Sequence, residues 1–183
     1  MGVFAQGARM TPHEEFAHDF GHRRMGRTLI VGSHVYPGRD DRRAYYNDVV
    51  GVDAIEGPGV DRVVDLEEAS PDDLGLFSHV ECRSVLEHAR RPWLVAANIE
   101  GLLEPGGTLD LAVPFVWSLH SYPGDFWRFT VAAVRSLFAR IEWRALRYAH
   151  RCLDGERSKT PRATVNGHVF IARTEVLGFG VRA

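Results

Sequence analysis

Two kinds of residue in this chain could do chemistry: a carboxylate that ends a short apolar run, and histidines set among other polar groups. Asp53 closes the run Val49-Val50-Gly51-Val52 and is followed by the tight turn Gly57-Pro58-Gly59. At the end of the second strand of an open parallel sheet, such a carboxylate can accept both hydroxyl hydrogens of a ribose. The same pair of residues also suits a capped turn. His88 and His120 are the candidate general bases, because imidazole alone titrates near neutrality without special tuning. His120 opens the cluster His120-Ser121-Tyr122-Pro123-Gly124-Asp125-Phe126-Trp127-Arg128-Phe129. Within it Tyr122 and Asp125 could join His120 in proton transfer, and Trp127 and Arg128 could hold a substrate. The alternative is that Tyr122-Pro123 and Trp127-Arg128-Phe129 lock a loop by packing, with Asp125 paired to Arg128.

These residues need a scaffold that brings them together, and the chain reads as strands alternating with helices. Thr28-Leu29-Ile30-Val31 is a buried β-branched strand running into Gly32-Ser33, and Val60 to Leu66 reads as another strand carrying Asp65 near its end. Val80 to His88 reads as a strand breaking into a helix, and Leu103 to Pro114 as a turn feeding a further strand. The spacing predicts a helix over Pro92 to Leu103, with proline in its first turn and Pro105-Gly106-Gly107 as its stop, Gly106 in the left-handed conformation. A second helix is expected over Thr130 to Phe138, capped by the threonine. Trp143 to Tyr148 and Val165 to Ala172 alternate as strands and are expected to form a closing antiparallel pair. Arg39 to Asp48 has room for a short helix at most.

The ordered series Val31-Gly32-Ser33, Gly51-Val52-Asp53, Gly57-Pro58-Gly59-Val60-Asp61, Val85-Leu86-Glu87-His88, Glu104-Pro105-Gly106-Gly107 and the late His-x-Tyr-Pro-x-Asp-x-Trp-Arg-Phe signature resembles class I S-adenosylmethionine-dependent methyltransferases. The resemblance covers roughly residues 27 to 138. It implies an α/β, Rossmann-like fold: a mostly parallel seven-stranded sheet with a C-terminal antiparallel pair and flanking helices. It further implies S-adenosylmethionine across the strand ends. Gly32 and Ser33 would meet the amino-acid end of the donor, Asp53 with Ala54 the ribose, Asp65 with Leu66 the adenine edge, and Cys82, Arg83 and Ser84 the methionine moiety. His120 would lie where the family meets its acceptors. Three departures stand out. Only Gly32 and Gly38 remain of the usual glycine-rich loop, Ser78 replaces a common aspartate, and Arg83 stands where a small residue is commoner and could obstruct the pocket. The donor carries no phosphate, so a loop with fewer glycines can still approach its carboxylate and ribose closely.

With 183 residues, 45% of them hydrophobic, the chain suits one domain over residues 11–183, opening with a helix over 11–26 after a flexible tail over 1–10. The formal charge of −2 argues against a general nucleic-acid surface. A nucleic-acid methyltransferase would need Arg135, Arg140, Arg144, Arg147 and Arg151 on one face, and Glu142 interrupts them. Cys82 and Cys152 form no metal or disulfide pattern, which fits a reduced, cytoplasmic setting. His13, His18 and His22 share a helical stripe but lack a carboxylate or thiolate to complete a metal site, so no metal is expected. No signal-peptide core or membrane span is read. The functional expectation is a methyltransferase acting on a hydroxyl of a small molecule or glycan. The alternative from another class is a catalytically silent binding or scaffolding module with a degraded donor loop.

Overall fold

A computed structural model describes residues 26–68, 72–120, 124–149, 162–165, 168–171 and 175–183. The helix expected over residues 11–26, the stripe of His13, His18 and His22, Tyr122 and Cys152 lie outside the described residues. Seven strands form one sheet: β1 (Arg27–Val31), β2 (Asp48–Asp53), β3 (Arg62–Val63), β4 (Phe77–Arg83), β5 (Leu103–Pro114), β6 (Ile141–Ala149) and β9 (Glu175–Arg182), in the order β3-β2-β1-β4-β5-β9-β6. A separate hairpin pairs β7 (Arg162–Val165) with β8 (His168–Ile171). The strands from β3 across to β5 run parallel, whereas β9 is antiparallel to both β5 and β6.

Strand alternation divides the sheet into two unlike faces. Val80 and Cys82 of β4 and Leu109, Leu111 and Val113 of β5 belong to the main core. Against that core pack Val95, Ala96, Ile99 and Leu102 of α1 (Pro92–Leu102) and Val134 of α2 (Val131–Leu137). Proline near the start of α1 costs no hydrogen bond, and the Thr130 hydroxyl accepts from the Ala133 N–H to cap α2. The intervening residues of the same two strands, His79, Glu81 and Arg83 with Thr108 and Asp110, turn to the opposite face by the two-residue period. Between β1 and β2, where a doubly wound sheet would set a helix, the chain makes only a 3₁₀ turn over Arg42–Tyr45. Arg42 donates to Glu81 at 2.6 Å and to the Gly32 carbonyl at 2.8 Å, while the Tyr46 hydroxyl donates to Glu81 at 2.7 Å. Ionic and hydrogen-bonded contacts thus stand where helix-to-sheet packing would.

The closing strands differ from the sequence expectation. β6 pairs with β9, a strand the sequence pattern did not reveal, and of the stretch expected to pair with it Val165 and His168–Ile171 belong to the separate hairpin. The reason lies in Gly178 and Gly180, which lower strand propensity but are required by packing. A Cβ at Gly178 would stand 2.4 Å from Trp143 Cζ3, and one at Gly180 would stand 2.2 Å from Ile141 Cγ2. β3 is also shorter than the expected Val60 to Leu66. The Gly106 expectation needs a similar correction. The helix already stops at Leu102 with Leu103 extended, and Gly106 takes φ +80° farther on, where the β4–β5 register shifts. Its Cβ position faces open space, so Gly106→Val is expected to cost only backbone strain. That is about 1–2 kcal/mol, read as a lower thermal midpoint with ligand affinity unchanged.

Candidate functional site

A cavity of about 760 Å³ opens at the carboxyl ends of β1, β2, β4 and β5. This is where an open parallel sheet binds its ligands, and the volume suits a nucleoside-sized molecule. Gly32 follows β1 with φ +72°, and Val85 Cγ2 lies 2.4 Å from where a Cβ would stand. Only glycine meets both demands, so bare backbone borders the cavity there. Asp53 ends β2 half-buried, its Oδ2 accepting the His34 N–H at 3.2 Å and its Oδ1 the Ile55 N–H at 3.2 Å. A carboxylate has about four lone-pair sites, so capacity is left for a diol. Asp65 Oδ1 accepts the Glu67 N–H at 2.8 Å, a capped turn that still borders the cavity beside buried Leu66.

Ser33, Ala54 and Ser84 also line the cavity. Ser84 has φ +55°, alone among the described non-glycine residues in that region, and its N–H donates to the Ala112 carbonyl at 2.9 Å. Cys82 is different: it is fully buried in the main core and does not line the cavity. Burial also pushes its thiol well above the usual thiol range, so it is an inert core residue. Arg83 borders the cavity, but its guanidinium is drawn to Asp110 and Glu81. Burial opposes that charge, and the two carboxylates outweigh it and hold the group above its ordinary range.

The other wall carries the histidines. His120 Nδ1 lies 3.1 Å from Asp125 Oδ2, the same oxygen that accepts the His120 backbone N–H at 3.0 Å. The Asp125 carboxylate has no solvent exposure. Hydrogen bonding from Arg128, foremost, holds its carboxyl well below the usual range. The His88 ring meets the His120 ring edge-on with centroids 5.0 Å apart, and His88 Nδ1 bonds the Gly124 carbonyl. Both imidazoles line the cavity.

Trp127 and Arg128, expected to hold a substrate, and Asp125, expected to join in proton transfer, are not among the residues that line it. Trp127 Nε1 donates to the Ala89 carbonyl at 2.9 Å, the Phe126 N–H to the Glu87 carbonyl at 2.7 Å, and the Phe129 N–H to the Pro114 carbonyl at 2.8 Å. Arg128 Nη2 reaches Asp125 at 2.7 Å and the Trp117 carbonyl at 3.3 Å. The late signature therefore ties the loop after β5 to the loop after β4, and of its described residues His120 is the one that faces the cavity.

Sequence reasoning missed Glu87 and Glu175, both buried and both at the cavity. Burial, first of all, pushes the Glu87 carboxyl up to about 7, with Asp125 and Glu175 adding to the rise. Its adjacency to His88 was the available signal. Glu175 was hidden because its strand was.

No family model and no curated relative matches the chain. Solved structures do. A 1,6-didemethyltoxoflavin N1-methyltransferase of Burkholderia thailandensis, crystallised with 1,6-didemethyltoxoflavin and S-adenosylhomocysteine, is 15% identical with a TM-score of 0.63, covering 93% of this chain and 76% of its own. The N-methyltransferase NodS of Bradyrhizobium japonicum, in complex with S-adenosylhomocysteine, is 12% identical at 0.59, covering 93% and 88%. The magnesium protoporphyrin IX methyltransferase of Synechocystis, with bound S-adenosylmethionine, is 12% identical at 0.56, covering 92% and 76%. The fold is that of class I methyltransferases. Within this methyltransferase fold the cavity occupies the strand-end position, with Asp53 on one side and the paired histidines on the other. No helix among the described residues is long and apolar enough to cross a membrane.

Proposed function

We propose that the chain is an S-adenosylmethionine-dependent methyltransferase that acts on a hydroxyl of a small molecule or glycan. The observation that carries the reading is one strand-end cavity lined by both a diol-binding carboxylate, Asp53, and an oriented imidazole, His120. The residues fit the donor: Gly32 brings bare backbone to the cavity, and Asp53 retains acceptor capacity beyond its two N–H contacts. Gly32 and Ser33 would hold its amino-acid end, Asp53 and Ala54 its ribose, and Asp65 and Leu66 its adenine.

When bound, the donor supplies an electrophilic methyl carbon on a sulfonium. The chain's task is then alignment and proton removal. The Ser118 carbonyl and the Asp125 carboxylate hold His120 at Nδ1, which would leave Nε2 to accept the acceptor hydroxyl's proton as its oxygen displaced the sulfonium sulfur, the carbon–sulfur electron pair staying on sulfur. Asp125 and Arg128 act as positioning residues, and Trp127 holds the loop they share.

The scaffolding alternative drew its support from the short glycine loop and from Arg83 as an obstruction. The second support weakens, since Asp110 and Glu81 compensate the Arg83 charge inside the protein. Calorimetric titration with S-adenosylmethionine and S-adenosylhomocysteine tests the proposal, and absence of binding by either would overturn it. In the same assay Asp53→Ala is expected to weaken binding about 10- to 100-fold, the worth of a charge-assisted contact of roughly 1.5–3 kcal/mol. An unchanged dissociation constant in the folded variant would remove Asp53 from the site.

A further inference from the structure

We infer that Glu87, His88 and His120 form a binding site for a divalent first-row transition-metal ion on the cavity wall. One potential ligand atom from each lies within 4.8 Å of the others. Metal–ligand bonds of about 2.0–2.2 Å set ligand atoms roughly 3–3.5 Å apart, so the three donors must close inward by about an ångström. His120 can supply that movement, since it lies on a loop and its side chain is 38% exposed.

Two features favour an ion over a chance meeting of side chains. Both histidines engage Nδ1 with oxygen acceptors, His88 with the Gly124 carbonyl and His120 with the Ser118 carbonyl at 3.2 Å, with Asp125 Oδ2 3.1 Å from the same nitrogen. A metal-bound histidine has this arrangement, because the outer acceptor fixes the tautomer and turns the Nε2 lone pair toward the ion. Glu87 supplies the second feature. Its side chain is 1% exposed, and Oε2 has no hydrogen-bond partner among the described residues. Its single ion-pair neighbour among them is His88 Nε2 at 3.9 Å. A buried carboxyl in that position needs a cation or a proton. Two imidazoles and one carboxylate favour zinc, cobalt or iron(II) over magnesium, which prefers all-oxygen sites.

The consequence for catalysis rests on the methyltransferase reading. The base role of His120 belongs to the ion-free protein: with the ion bound, its Nε2 is a ligand and the ion takes over activation of the acceptor hydroxyl. An acceptor hydroxyl on the ion would then lose its proton to solvent before its oxygen displaced the sulfonium sulfur, with the carbon–sulfur electron pair leaving on sulfur.

The test is a titration of the chelator-treated full chain with Co²⁺, read by visible ligand-field absorption, followed by displacement with Zn²⁺, both without S-adenosylmethionine. One equivalent is expected to bind with an absorption of low-symmetry nitrogen and oxygen coordination. Glu87→Gln and His120→Asn should each abolish that signal or weaken affinity by well over tenfold. Asp125→Asn, which alters an outer partner, should weaken it about 10- to 100-fold. A triple variant of His13, His18 and His22 to alanine should bind as wild type. No Co²⁺ signal, equal binding by Glu87→Gln and His120→Asn, or loss in the N-terminal triple variant would each overturn the site. Co²⁺ binding without S-adenosylhomocysteine binding would sink the methyltransferase reading and leave the ion site standing. The reverse result would do the opposite.

Discussion

His120→Ala is expected to slow methyl transfer about 10²- to 10⁴-fold while S-adenosylhomocysteine affinity stays near wild type, the scale and pattern of lost acid–base assistance. The separation follows from geometry. His120 lies on the loop after β5, held by Asp125 at its backbone N–H and by the Ser118 carbonyl and nearby Asp125 at its ring, whereas Gly32 and Asp53 follow β1 and end β2. Single-turnover rates with the acceptor, set beside calorimetric donor affinity, measure the two quantities independently. Full activity in the variant would remove this histidine from the chemistry. A modest rate loss that recovers on cooling, together with a lower melting temperature, would assign it to packing.

Arg128→Met should have the largest effect on folding. It strips the guanidinium from a carboxylate with no solvent exposure and also removes contacts to the Trp117 and Ser118 carbonyls. Deleting one partner of a buried pair leaves an uncompensated charge, and a loss of about 3 kcal/mol in urea unfolding is expected at neutral pH. The pH dependence has a definite sign. Asp125 titrates lower in the folded protein than its ordinary 3.8, so its contribution is present above that pH and disappears as pH falls through the folded value. The gap between wild type and Arg128→Met should therefore narrow in acid. A gap that stayed constant down to strongly acid pH would mean that the pair is not what Arg128 contributes.

The parallel half of the fold was legible because its signals are local. Leu29-Ile30-Val31 is buried on all sides and reads as an apolar run, and α1 and α2 announce themselves by proline, threonine cap and helical spacing. The antiparallel end was not legible. Gly178 and Gly180 belong to β9 because Trp143 and Ile141 of β6 fill the space above them, a fact about another strand that no local pattern carries. The site divides the same way. Asp53 could be placed from its position after an apolar run, and the pairing of Asp125 with Arg128 from their spacing of three residues. Glu87 offered only its adjacency to His88 as a signal, since its burial and its nearness to a histidine 33 residues later come from the fold. For Trp127 and Arg128 residue type suggested a ligand contact, and the fold adds what no local pattern carries, their bonds to the backbone carbonyls of Ala89 and Trp117.

The polar face of the sheet bears on how the protein responds to temperature. Exposing apolar surface raises the heat capacity of unfolding by about 0.45 cal/K/mol for each Å², while exposing polar surface lowers it by about 0.26. Glu81, Asp110, Arg83, His79 and Thr108 stand on a face that a doubly wound sheet fills with aliphatic side chains, and the Arg42 and Tyr46 side chains meet Glu81 there. Exposing these groups on unfolding lowers the heat capacity and so offsets part of the rise contributed by the apolar core, which acts to flatten the curve of stability against temperature.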